Sequence, residues 1–318
     1  MIHVQHSFRG TRQTMTSDCF VIGAADGHTI GVHEWLASEP LGTLIWLHGM
    51  AEHGARYQAL GEILAEHGWN LYCPDHRGHG ISMDGADPPG HFADDNGWDK
   101  VMGDLERVID TVAERHPGPL VLGGHSMGSF LALAGAERFG DRLDGVVLCG
   151  SDYHAGAYYR SLLPVLRWQQ RRQGPRGQSN LIDTLTFRAW ARSVPDAHTD
   201  FDWLSGDPAQ VAAYIEDPKC GFQCTNATWV ALVSALARIQ SGKGLAALPA
   251  NLPVLLLGGR EDPMSGGGKG MDRLEKALRR RGLPLERLDC PQGRHEILND
   301  YCAPEVRQTL LEWLNRRL

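Results

Sequence analysis

Along the first half of the chain, short apolar runs alternate with segments of helical period. Residues 19–24 and 31–37 read as the two arms of a hairpin around the Asp26-Gly27 turn signal. Residues 42–47 (GTLIWL) form a strongly apolar strand, followed by a glycine-rich loop and a helical pattern over 57–67. A strand over 70–73 precedes a long helix over 98–115, whose apolar positions Val101, Leu105, Val108, Ile109 and Val112 fall on one face. The same rhythm continues with a strand at 119–123, a helix at 127–139 and a strand at 145–149. Continuous apolar strands separated by helix-length segments imply βαβ units and a mainly parallel sheet. After Gly150 the rhythm breaks. Residues 153–237 contain no comparable strand, but they hold Trp168, Trp190, Trp203 and Trp229 and helical segments split by prolines. The pattern returns with strands at 253–257 and 285–288 and helices at 271–281 and 304–314. The expected architecture is therefore an α/β core with helices flanking the sheet and a helical cap inserted after the sixth strand. The core covers 17–152 and 241–318, the cap 153–240, and 1–16 is a polar extension.

Composition narrows the class of protein. A net charge of −7 without a long basic stripe argues against duplex nucleic acid as a partner. The longest apolar runs, such as 254–257, are of core-strand length and far short of a membrane span. The N-terminus carries Arg9 and Arg12 but lacks the apolar region of a secretory signal, so the cytoplasm is the expected compartment, and Met15 is an alternative start. Seven cysteines without CxxC spacing argue against a disulfide framework or a zinc ribbon; only Cys220 and Cys224 are near enough in sequence to suggest a local pair. The tract 171–178 (RRQGPRGQ) reads as a solvated loop, with contact to an anionic lipid surface as the second reading.

The sharpest chemical signal is Gly124-His125-Ser126-Met127-Gly128, a G-x-S-x-G set between a strand and a helix. A tight strand-to-helix turn strains the central residue, the flanking glycines relieve crowding, and the serine hydroxyl is exposed at the head of a helix. Serine becomes a nucleophile only when a base takes its proton, and that base needs a carboxylate to fix its tautomer. In this arrangement the acid and then the histidine follow the serine in sequence. Asp262 after the strand 253–257 fits the acid, with Glu261 as its rival, and His295 after the strand 285–288 fits the base. His154 and His198 lie in the insertion. Two amides are needed for the oxyanion: Met127, directly after the nucleophile, and Met50 in the loop His48-Gly49-Met50-Ala51-Glu52-His53-Gly54. Asp75-His76-Arg77-Gly78-His79-Gly80 reads as a structural turn, since its spacing does not suit zinc.

Taken together, His48-Gly49-Met50-Ala51-Glu52-His53, Asp75 to Gly80 with Ser82, Gly124 to Gly128, and His295-Glu296 resemble the monoacylglycerol lipase/lysophospholipase family of α/β-hydrolases, over residues 18 to 318. Asp217-Pro218 in the cap is similar as well. Ser129 departs from the second glycine that many relatives carry after G-H-S-M-G. The resemblance implies an α/β-hydrolase fold with Ser126, Asp262 and His295 as triad, Met50 and Met127 as oxyanion amides, and Glu52 and Arg56 at the polar end of the pocket. It implies hydrolysis of a carboxylic ester, a monoacylglycerol or lysophospholipid, through an acyl-enzyme. That chemistry requires no cofactor and no metal. Within enzymes the alternatives are a short-chain carboxylesterase, a thioesterase, an aminopeptidase or an acyltransferase, for which His295-x4-Asp300 is a weak sign. Outside them stands a non-catalytic ligand receptor. The expected partner is a small-molecule ester or single-chain lipid, with room for a transient membrane contact through the cap and no basis for an oligomeric state. The stretch 161–168 (SLLPVLRW) either packs as ordinary cap structure or supplies Leu162 and Leu166 to an acyl pocket.

Overall fold

The computed structural model describes residues 18–318; the expected extension at 1–16 and the alternative start at Met15 lie outside them. Eight strands form one sheet: β1 (Asp18–Gly23), β2 (Thr29–Trp35), β3 (Gly42–Leu47), β4 (Trp69–Pro74), β5 (Leu120–His125), β6 (Gly145–Cys149), β7 (Val254–Gly259) and β8 (Leu285–Cys290). Their order is β1-β2-β4-β3-β5-β6-β7-β8. The hairpin β1–β2 pairs antiparallel to β4, and from β4 onward all neighbours are parallel. Strands β3 to β7 are buried along their whole length, as expected where helices cover both faces. Alternation sorts their side chains: Leu44 and Trp46 of β3 join the core with Trp69, Val121 and Trp313, while Ile45 and Leu47 join the opposite core with Leu122, Leu131 and Leu256.

The helices are α1 (Gln58–Glu66), α2 (Gly97–Arg115), α3 (Met127–Phe139), α4 (Gly156–Gln173), α5 (Asn180–Leu185), α6 (Phe187–Ser193), α7 (Pro208–Glu216), α8 (Asn226–Ile239), α9 (Gly242–Ala246), α10 (Lys269–Arg280) and α11 (Ala303–Asn315). Six of them, α4 to α9, lie between β6 and β7 in sequence, so the break in strand rhythm after Gly150 is a helical insertion into an otherwise regular α/β order. Buried Gln240, just past α8, ties its two ends together. Its side-chain amide donates to the Asp152 carbonyl (2.8 Å), and its oxygen accepts from His154 N–H (2.9 Å) and Tyr159 O–H (3.0 Å).

One boundary needs correcting. Gly258 and Gly259, beyond the strand expected at 253–257, continue β7 and pair with Asp289 and Cys290 of a β8 that runs two residues longer than expected. A Cβ at Gly259 would approach the carbonyl oxygens of Gly293 and Arg294 to 2.1 Å. The glycine is there for close backbone packing, not for turning, and it brings the end of β7 against the loop that carries His295.

Candidate active site

Ser126 sits between β5 and α3 with φ 54° and ψ −119°, in the left-handed half of the map that a non-glycine residue occupies at a cost on the order of 1–3 kcal/mol. The surroundings enforce this. A Cβ on Gly128 would lie 2.0 Å from the Leu47 carbonyl oxygen, and one on Gly124 would lie 2.3 Å from that of Gly128. Strand β3, the turn and α3 therefore approach one another closely enough to hold the kink. Ser126 N–H donates to Cys149 O (2.9 Å), and the Ser126 carbonyl accepts from Ser129 N–H (2.9 Å) and Ser129 O–H (2.6 Å). Ser129, where many relatives have glycine, thus adds a hydrogen bond to the turn itself.

The acid and base arrive from the far ends of β7 and β8. His295 Nδ1–H donates to Asp262 Oδ1 at 3.1 Å, and both side chains are buried. Met264 N–H also donates to that oxygen (2.9 Å), which fixes the carboxylate. Of the two acids left open by the sequence, Asp262 is the one beside His295; Glu261 is exposed and its N–H donates to Gly293 O. Burial lowers the affinity of the His295 ring for a proton, but the Asp262 carboxylate beside it more than offsets this, and the net shift is upward. His125, packed 4.6 Å from the His295 ring, has no such partner; burial, reinforced by His295, pushes it down to about 3. It stays neutral. The cap contributes as well: the Trp203 ring lies tilted 5.0 Å from the His295 ring and its carbonyl accepts from His295 N–H (3.4 Å), while Leu204 O accepts from Glu296 N–H (2.7 Å). His154 lies at the cap entrance, 3.1 Å from Asp152, and His198 lies in an exposed loop of the insertion. Asp300 accepts from the backbone N–H groups of Arg294, Gly206 and Tyr301, so the His295-x4-Asp300 spacing serves the loop's shape.

The loop after β3 is braced from beneath. Glu52 Oε1 accepts from Gly49 N–H and from the Tyr57 hydroxyl (2.8 Å), and Arg56 donates to Glu52 Oε2 (2.7 Å) and in two-pronged fashion to Glu296 (2.7 and 2.8 Å). Burial raises the Glu52 carboxyl against the pull of Arg56. In Glu296 the two-pronged Arg56 contact overcomes burial and the carboxyl is lowered. Arg56 also lies over the Tyr214 ring of the cap at 4.8 Å. Glu52 and Glu296 reach the cavity wall, whereas Arg56, expected in the pocket, stands behind it with its charge taken up by the two carboxylates. In sequence Glu296 stands out only as part of the His295-Glu296 motif, and no local pattern records its pairing with a residue 240 positions away. In the Asp75–Gly80 turn, Asp75 accepts from Gly54 and Ile81 N–H, and Arg77 bridges Asp26 and Asp104.

Above these groups a cavity of about 390 Å³ runs from Gly49, Ser126 and His295 into the cap. Met50 and Met127 line its floor, and their N–H groups donate to no acceptor among the described residues. Ile182, Phe187, Trp229 and Leu236 form its apolar walls, together with Leu162 and Leu166 of α4. Leu166 is also packed into the core, whereas Leu162, one turn earlier on the same face of α4, is 37% exposed. Cys220 and Cys224 are both free thiols.

A mainly parallel sheet with a strained serine at its centre and an Asp–His pair towards one edge defines an α/β-hydrolase of the serine hydrolase class. The family model for Hydrolase_4, serine aminopeptidase S33, matches residues 38–301, and the chain belongs to that family. It is similar to the monoacylglycerol lipase of Mycolicibacterium smegmatis (29% identity over 182 residues, 57% of each chain) and to the monoglyceride lipase of Mus musculus (26% over 302 residues, 92% of this chain and 89% of that one). The match to the mycobacterial lipase thus spans little more than half of that protein's length. Among solved structures, a highly thermostable carboxyl esterase from Bacillus coagulans in complex with glycerol superposes with a TM-score of 0.86 at 25% identity, over 95% of this chain and 98% of that one.

Proposed function

We propose that this serine ester hydrolase cleaves a monoacylglycerol or a lysophospholipid through an acyl-enzyme. The observation that carries the reading is the apolar cavity that ends at Ser126 and His295 and is closed at its polar end by Glu52 and Glu296. A single acyl chain fills such walls, and the alcohol end meets the carboxylates. Ser126 Oγ attacks the ester carbonyl while His295 Nε2 takes its proton; Asp262 holds the imidazolium that forms. The free N–H groups of Met50 and Met127 receive the oxyanion. His295 then returns the proton to the departing alcohol, and water, deprotonated by the same nitrogen, releases the fatty acid. The named activities of the relatives support this reading, as does the glycerol held by the similar esterase, since glycerol is the alcohol a monoacylglycerol releases.

On this reading residues 17–152 and 241–318 are the catalytic core, residues 153–240 are the substrate-selecting cap, and the reaction uses no cofactor. Helix α4 is the element that meets a lipid surface. It carries Arg160, Arg167, Arg171 and Arg172 with no acid, and it exposes Tyr158, Val165 and Trp168 beside the cavity. No helix of the described residues is long and apolar enough to cross a membrane. The compartment in this proposal is the cytoplasm. The deciding experiment is a hydrolysis profile over para-nitrophenyl esters and monoacylglycerols of increasing chain length. Rising kcat/KM from short to medium or long chains supports the proposal, and a maximum at acetate would overturn it in favour of a short-chain esterase.

A further inference from the structure

Away from the catalytic trio, a set of three unlike donor atoms joins the core to the cap. His53 ends the loop that carries Met50 and Glu52, while Asp217 and Cys220 lie in the turn between α7 and α8. His53 Nε2 is 2.8 Å from Asp217 Oδ2, and the imidazole nitrogen, a carboxylate oxygen and Cys220 Sγ all lie within 4.8 Å of one another. His53 is buried, whereas Asp217 and Cys220 are half-buried and reachable from solvent. The turn is held in shape by its own backbone: Asp217 Oδ1 accepts from Lys219 N–H (2.8 Å), and Asp217 O from Cys220 N–H (3.0 Å). Gly221, at φ +73°, donates its N–H to Ala51 O (3.0 Å), which anchors the turn to the very loop that bears His53.

An imidazole, a carboxylate and a thiolate form a donor set suited to Zn²⁺. Bond lengths of about 2.0 Å to nitrogen and oxygen and about 2.3 Å to sulfur put tetrahedral ligand atoms roughly 3.3–3.8 Å apart. The observed spacing brackets that range, so an ion needs the His53–Asp217 contact to open slightly and Cys220 to swing inward. We propose that His53, Asp217 and Cys220 form a binding site for a zinc-class divalent cation, with water as fourth ligand, that pins the cap to the loop after β3. Binding replaces the Cys220 S–H bond with a metal–sulfur bond and releases one proton to solvent; no oxidation is involved. A second cluster, His33, His53 and Asp75, shares one ligand but is the poorer site. Both Asp75 oxygens already serve buried N–H groups of Gly54 and Ile81. The proposed site takes no part in ester cleavage and stands apart from that reading.

The test is titration of untagged protein with ZnSO4 and CdCl2. Saturation at one equivalent is expected, with release of one proton, a thiolate-to-Cd²⁺ charge-transfer band and a melting temperature raised by about 5 °C at a hundredfold excess over Kd. Cys220→Ala abolishes the band and the shift. Asp217→Asn weakens Zn²⁺ binding by at least about tenfold. Cys19→Ser, which removes an exposed thiol on β1, changes neither. Ester turnover of each metal-free variant reports that it has folded. A band that survives in Cys220→Ala, disappears in Cys19→Ser or fails to saturate at one equivalent overturns the proposal.

Discussion

Ser126 shows how much of a site rests on a single backbone angle. Its left-handed conformation is imposed by the contacts of Gly124 and Gly128 with Leu47, not by its hydroxyl. Ser126→Ala therefore keeps the turn, and differential scanning fluorimetry is expected to show a melting temperature near that of the parent while ester turnover falls by about 10⁴–10⁶-fold. Retention of a tenth of the parent activity would exclude Ser126 as nucleophile. Asp262→Asn is expected to lower kcat by about 10⁴-fold because the tautomer of His295 is lost, whereas Glu261→Gln, on an exposed side chain, leaves it within about twofold. The upward shift of His295 sets the pH profile: the base must be neutral, so kcat/KM rises with pH through a midpoint above the ordinary histidine value and levels off on the alkaline side. A rise centred below pH 6 would contradict the Asp262 pairing. The strained Ser126 turn was legible from its strand-turn-helix context, and the Asp262–His295 pairing from chain order. The Glu52–Arg56–Glu296 brace was not, because the contact between positions 56 and 296 depends on how β3 and β8 lie across the sheet, and no local pattern records that.

At the scale of elements, α4 performs two tasks with one helix. Leu163 and Leu166 pack into the core, while Leu162, Val165 and Leu166 line the cavity, so Leu166 does both. Leu162→Asp is expected to raise KM for long-chain monoacylglycerols with little change in melting temperature, and the discrimination against a butyrate ester grows with each added carbon, since one buried methylene contributes about 0.8 kcal/mol. Leu166→Asp lowers the melting temperature as well, because a buried carboxylate has no partner there. Equal kinetic losses on short and long esters for Leu162→Asp would move the acyl site elsewhere in the cap. The strands and core helices were readable to within a few residues, since buried parallel strands leave unbroken apolar runs. The cap was readable only as helical, because its elements pack on one another and on the substrate cavity, so their apolar faces follow no single stripe.

For the molecule as a whole, acid is the exposed weakness. Burial pushes His76 and His125 down to about 3 and His79 to about 4, all three beneath or beside the serine turn. Each binds a proton more readily in the unfolded chain, so stability falls as pH drops below the ordinary histidine value toward these folded values. At pH 4.5, keeping these three rings neutral in the fold costs on the order of several kcal/mol together, a sizeable share of total domain stability. Thermal melts from pH 7 to 4.5 are expected to show a steep decline with uptake of about three protons; a flat midpoint would mean that these rings find water or partners. His295 works in the opposite sense, contributing stability below about pH 6.5 that is lost as pH rises through its folded value. Gln240, finally, makes the insertion a ring: chain leaving β6 and chain returning from α8 are stitched at one side chain. A ring with joined ends can be exchanged as a cassette. Grafting a relative's helices between Ser151 and Ser241, with the glutamine kept, leaves the sheet and its serine in place, so such enzymes can acquire new substrate ranges in evolution without rebuilding the chemistry.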